Sequence, residues 1–110
     1  MTRLLISASA AALFRALIAR AGLPRDRILL SECTSTDWQS LTYVGERHRI
    51  VLRLTGPSAT EGMARLTDGI ADAEWALSGH LVADIAIAGE PLRSPDGSVT
   101  VTIEALTVEG

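Results

Sequence analysis

Apolar residues at Ala10, Leu13, Phe14, Leu17, Ile18 and Ala21 recur at steps of three and four, with Arg15 and Arg20 off that stripe. The spacing predicts an amphipathic helix. Gly22 and Pro24 stop it, and Arg20 in its last turn complements the negative end of the helix dipole. From Arg27 the period shortens. Ile28 to Cys33 reads as a short strand, and Trp38 to Leu54 as a hairpin turning at Val44-Gly45-Glu46. In the second arm Ile50, Leu52 and Leu54 fall on one face and Arg49, Val51 and Arg53 on the other, so the strand has a core side and a basic side.

Gly56-Pro57-Ser58 breaks the sheet and opens a second helix, in which Ser58 and Glu61 have capping-box spacing. Ala59, Met63, Leu66, Ile70, Ala73 and Leu77 form its apolar stripe, and Glu61 and Arg65 stand in the favourable i, i+4 order. Gly62 and Gly69 each weaken intrinsic helicity by about 1 kcal/mol relative to alanine. The helix is expected to stop near Asp72, with Glu74 to Leu77 extended, because Trp75 lies off the stripe; continuation to Leu77 with Gly79 as terminator is the alternative. His80 to Ala88 alternates Leu81, Ala83, Ile85 and Ile87 against His80, Val82, Asp84 and Ala86, which predicts a strand. Ser94-Pro95-Asp96-Gly97 is a type I turn, and Ser98 to Val108 returns with Val99, Val101 and Ile103 inward. The expected fold is α+β: one two-layer domain over residues 1–110, in the order α-β-β(-β)-α-β-β. Two helices cover one face of a mainly antiparallel sheet. The repeated α-β-β order hints at duplication, without matching residues.

The apolar content of 47% and net charge of −3 exclude a disordered chain. No apolar stretch reaches the roughly 20 residues needed to cross a bilayer. Arg3, Leu4-Leu5-Ile6 and Ala8-Ser9-Ala10 have the order of a leader peptide, but the periodicity runs on to Ala21 as a structural helix does, so a cytoplasmic protein without membrane attachment is expected. Cys33, the one cysteine, has no internal partner. All ten basic residues are arginine, and they are unevenly placed. Residues 1–53 carry eight arginines against four acids, a balance of +4, and residues 54–110 carry two against nine, a balance of −7.

The segment from Cys33 to Arg49 concentrates the reactive side chains: Cys33, Asp37, Trp38, Tyr43, Glu46, Arg47, His48 and Arg49. A thiol nucleophile at Cys33 would take His48 as base and Asp37 as orienter, but no family signature surrounds it, and a buried inert thiol is the expectation. His80 and Asp84 share a strand face about 13 Å apart, too far to ligate one metal without a bulge. No metal and no cofactor are therefore expected. Phosphate-loop, dinucleotide, serine-hydrolase, zinc-protease and C-x-x-C motifs are absent. Two binding chemistries remain. The division of charge favours a non-catalytic assembly module, a homo-oligomer such as a dimer or a complex with a protein partner, because opposite halves can pair between copies. The alternative is a nucleic-acid surface in which Arg47, Arg49 and Arg53, with His48, contact phosphates and Trp38 or Tyr43 stack on bases. A small enzyme is third, and needs a pocket that joins the Cys33 to His48 segment with His80 or Asp84.

Overall fold

The computed structural model describes residues 6–110. The leader-like residues Arg3 to Leu5 lie outside it, whereas Ala8-Ser9-Ala10 begin the first helix, α1 (Ala8–Ala21). The Ser7 hydroxyl accepts the Ala10 N–H at 3.2 Å, which satisfies one of the free donors of the first turn. At the other end Gly22 takes a left-handed φ of 68° and returns its N–H to Ile18. Leu13, Leu17 and Ala21 are fully buried, as the stripe predicts.

β1 (Ile28–Gln39) and β2 (Val44–Leu54) form one long hairpin. Its turn is Ser40 to Tyr43, where the Ser40 hydroxyl accepts the Tyr43 N–H at 3.0 Å, and not Val44-Gly45-Glu46. Gly45 lies inside β2 instead, because the backbone of the neighbouring strand passes so close that a Cβ would collide with the Thr107 carbonyl. Nor does β1 stop at Cys33. Thr34 to Asp37 is polar on both faces, which hides its alternation, but pairing with β2 carries the strand through, with a bulge between Leu30 and Glu32.

α2 (Ala59–Thr67) is shorter than its stripe suggested. Ser58 has φ −102° and ψ 17°, outside the extended region an N-cap needs, so the capping box does not form. Gly69 turns left-handed after the helix, a single tight turn follows at Ile70–Asp72, and Glu74 to Leu77 is not helical. Arg65 does not serve Glu61; its Nε donates to the Ala21 carbonyl at 2.8 Å. Arg20 reciprocates by donating to the carbonyls of Leu66 at 2.9 Å and Asp68 at 2.5 Å. Each helix thus supplies the cation that satisfies the other's C-terminal carbonyls. The Arg20 guanidinium also stands 5.7 Å from the Trp75 ring centroid.

β3 (His80–Ile87), β4 (Leu92–Arg93) and β5 (Val99–Glu109) complete an antiparallel sheet ordered β1-β2-β5-β3, with β4 beside the start of β5. Pro95 and Asp96 occupy the predicted turn, closed by the Gly97 N–H on the Ser94 carbonyl at 3.0 Å. Ile85 and Ile87 face the core as expected, but a bulge between Val82 and Asp84 exchanges the faces of the residues before it: Val82 joins the core side, and Leu81 is turned out, 55% exposed. The two helix-and-strand units meet through their last strands, β2 and β5. Both helices lie on one face, over Ile50, Leu52, Leu54, Val99, Val101 and Ile103. The other face is open. Among the described residues no helix is long and apolar enough to cross a membrane.

Candidate functional site

Alternation along β2 divides the sequence-predicted residues between the two faces. Gly45, Arg47, Arg49, Val51 and Arg53 point to the open side, whereas Glu46, His48, Ile50, Leu52 and Leu54 point to the helices. His48 therefore leaves the proposed arginine surface: it is buried, 3% exposed, on the opposite face. Trp38 is on the open side, opposite Gly45. Tyr43 sits in the hairpin turn with Leu41, away from the arginine row.

Strand register arranges the open face in rows. At the hairpin end Trp38, Gly45, Val108 and Leu81 make an apolar row across β1, β2, β5 and β3. The next row is Thr36, Arg47, Leu106 and Asp84, and the one after is Thr34, Arg49, Glu104 and Ala86. Arg49 pairs with Glu32 at 2.6 Å, and Arg53 with Asp96 at 2.5 Å and with the Ser98 hydroxyl at 3.0 Å. Among the described residues Arg47, Asp84 and Glu104 form no ion pair. The two halves of the chain lie side by side, so the arginines of the face run along β2, with Glu104 on β5 and Asp84 on β3.

On the covered face, beyond the apolar core and beside the start of α1, lies a polar cluster. The Nδ1 of His48 is 2.8 Å from the Ser35 hydroxyl, and its Nε2 is 2.8 Å from Thr107 Oγ1 and 3.5 Å from Ser9 Oγ. Ser9 itself donates to Glu46 Oε1 at 2.5 Å. With that hydrogen committed to Glu46, the Ser9 oxygen turns lone pairs toward His48. Both ring nitrogens thus stand within reach of hydroxyl groups, which come from α1, β1 and β5. Burial pushes the imidazole below its ordinary pKa of 6.5, opposed by the Glu46 charge and reinforced by His80. The Ser9 hydroxyl holds the Glu46 carboxylate below its ordinary value. Burial raises the Cys33 thiol, against a hydrogen bond from Ser35 and with the Glu46 charge. Next to the cluster is a cavity of about 200 Å³ lined by Ser9, Asp37, Glu46, His80, Thr107 and Glu109. His80 lines this cavity with Glu46, whereas Cys33 stands opposite Ile50 and packs against the apolar core.

No three of the described His, Cys, Asp and Glu residues are placed to hold a metal ion. The β3 bulge puts His80 and Asp84 on opposite faces, which corrects their expected shared face. Ser9, Ser35 and Thr107 were not singled out from the sequence. The signal was present, since His48 has the parity of Ile50, Leu52 and Leu54, and a buried imidazole requires hydroxyl or carboxylate partners.

Fold and site together define a two-layer α+β domain with one covered and one open sheet face. No protein-family model, curated protein or solved structure matches the chain.

Proposed function

We propose that the protein is an assembly module whose open sheet face binds a second copy of the same chain. The observation that carries this reading is the lateral division of that face, basic along β2 and acidic over β5 and β3, with an apolar row at one end. A twofold axis parallel to the strands, between β2 and β5, inverts left and right but keeps position along the strands. It sets Trp38 of one copy over Leu81 of the other, and Arg47 and Arg49 over the strands that carry Glu104 and Asp84. Such an isologous contact is self-complementary in charge and in apolar surface at once. Sheets stack about 10 Å apart, and four strands at about 4.8 Å spacing offer a face large enough for an interface at the lower end of the standard size.

Light scattering across a concentration series, at low and at high salt, tests the proposal. A dimer that weakens with salt is expected, and a monomer at the highest soluble concentration in low salt overturns it.

A second reading rests on Trp38 sharing a surface with Arg47 and Arg49, the arrangement of a single-strand binding platform. It expects oligonucleotide affinity that falls steeply with salt and is lost in the Arg47→Ala, Arg49→Ala double variant. Glu104 and Asp84 on the same face, and the Glu32 and Asp96 partners of Arg49 and Arg53, favour the homodimer over this reading.

A further inference from the structure

We propose that the groove between α1 and the segment leading into β3 binds a small aliphatic carboxylate, with the carboxylate group on Arg15 and the alkyl chain along α1. The groove flanks the helix layer, away from the open sheet face, so the proposal does not depend on assembly.

The cavity measures about 430 Å³, within the range of small-molecule sites. One wall is the face of α1 on which Ala8, Ala12 and Ala16 recur at every fourth residue, outside the core stripe of Leu13, Leu17 and Ala21. Their methyl groups leave an apolar trough where longer side chains would fill it. Ala8 and Ala16 stand eight residues apart, about 12 Å of helix, which is room for an extended alkyl chain. The opposite wall, Leu77 and Ser78, is held in place. Leu77 bridges to His80, the Gly110 N–H donates to the Gly79 carbonyl at 3.2 Å, and His80 Nδ1 donates to the Ser78 carbonyl at 3.2 Å. The trough is therefore preformed, and a ligand does not have to order it.

Charge selects the ligand. Arg15 lines the groove, no acidic side chain does, and among the described residues Arg15 forms no ion pair. Other arginines of the helix layer are committed, Arg20 and Arg65 to the carbonyls of the helix ends and Arg25 to the Ile28 carbonyl. Next to Ala8, Ser9 and His80 border the smaller cavity, where Asp37, Glu46 and Glu109 repel an anion from that end. The carboxylate therefore takes the Arg15 end, where a guanidinium offers two parallel N–H donors, and the chain runs along the alanines toward Ala8.

Titration of the isotope-labelled full chain with octanoate, read by amide chemical shifts, tests this. Acetate and octanol are the arms that carry the head or the tail alone. Saturable shifts confined to residues 8–16 and 76–80 are expected, with acetate and octanol each on the order of 10-fold weaker. Arg15→Gln, a change at an exposed site, weakens octanoate by about 10-fold and leaves octanol unchanged. Ala12→Phe fills the trough and removes the binding of both, with circular dichroism reporting the fold. No saturable shift at millimolar octanoate, equal affinity for octanol, shifts on the open face instead, or an unchanged octanoate response in Arg15→Gln overturns the proposal.

Discussion

The two faces of the sheet are built from alternate residues of the same strands, yet they obey different rules. On the covered side Ile50, Leu52, Leu54, Val101 and Ile103 are each at most 1% exposed and touch both helices or one another, so shape and volume decide what is tolerated there. On the open side Arg47, Arg49, Thr34, Thr36 and Glu104 are exposed, although Leu106 and Val108 between them are buried, and two of the arginines of β2 have acidic partners on their own chain. The lesson is that packing rules the covered face throughout, and on the open face only in part, at Leu106 and Val108. β5 offers the sharpest test, because Thr102 and Ile103 are neighbours in sequence and opposites in environment. Ile103→Ala is expected to cost about 2–5 kcal/mol through lost burial and the cavity left behind, and Thr102→Ala less than about 0.5 kcal/mol. Denaturant midpoints of the two variants check this; similar losses would mean that the open face is also packed.

Gly45 breaks the pattern on the open side. Although it belongs to the solvent-facing set of β2, a Cβ there would run into the Thr107 carbonyl, a backbone atom that cannot swing away. Gly45→Ala is therefore expected to cost about 1–3 kcal/mol, a core-like penalty at a surface parity. Urea unfolding measures it, and a neutral result would show that β2 and β5 can separate locally at little cost.

How far these features were legible in the sequence depends on whether a single segment carries its own signal. α1, the arginine parity of β2, the Ser94 to Gly97 turn and the inward set of β5 are local patterns, and they were readable. The turn placed at Val44-Gly45-Glu46 failed because a glycine required by a neighbouring strand resembles a glycine required by a turn. The capping box failed because Ser58 lies in a tight turn, closed by the Ala59 N–H on the Gly56 carbonyl at 3.2 Å, and so lacks the extended backbone of a cap. The β3 bulge lay beyond reach, since one inserted residue exchanges the faces without altering the composition. At the polar cluster His48 was found, but its partners come from α1, β1 and β5, brought together only by the fold. Ser9 is 39 residues from the imidazole in the chain and Thr107 is 59.

Acid separates the faces by a different property. The covered side holds His48, whose burial lowers its pKa, beside the Glu46 carboxylate. With its folded pKa below the ordinary 6.5, His48 binds its proton more readily in the unfolded chain, so its contribution is complete above about pH 6.5 and is lost as pH falls through the folded value. Glu46 and Asp96, held below their ordinary values of 4.5 and 3.8, add a second decline at lower pH for the same reason of sign. Thermal unfolding from pH 8 to pH 3 is expected to show both stages. His48→Gln removes the first and leaves the second; an unchanged profile would show that the buried imidazole does not set it.

The smallest effect concerns the open face alone. If the basic side of one copy lies over the acidic side of another, Arg47→Glu replaces attraction by repulsion at two symmetry-related places. Exposed ion pairs contribute about 0.2–1 kcal/mol each, so dimer dissociation should strengthen by a factor of about 1.4–5 per pair. Adding Glu104→Arg restores the complementarity and should recover the dimer. Within one chain these residues are also diagonal neighbours across β2 and β5, which gives recovery a second source, the monomer itself. Urea unfolding at a dilution where the chain is monomeric removes that ambiguity. The intermolecular account requires unfolding midpoints that agree among wild type, single and double variants while the dimer constants differ, and it fails if the midpoints and the dimer constants move together.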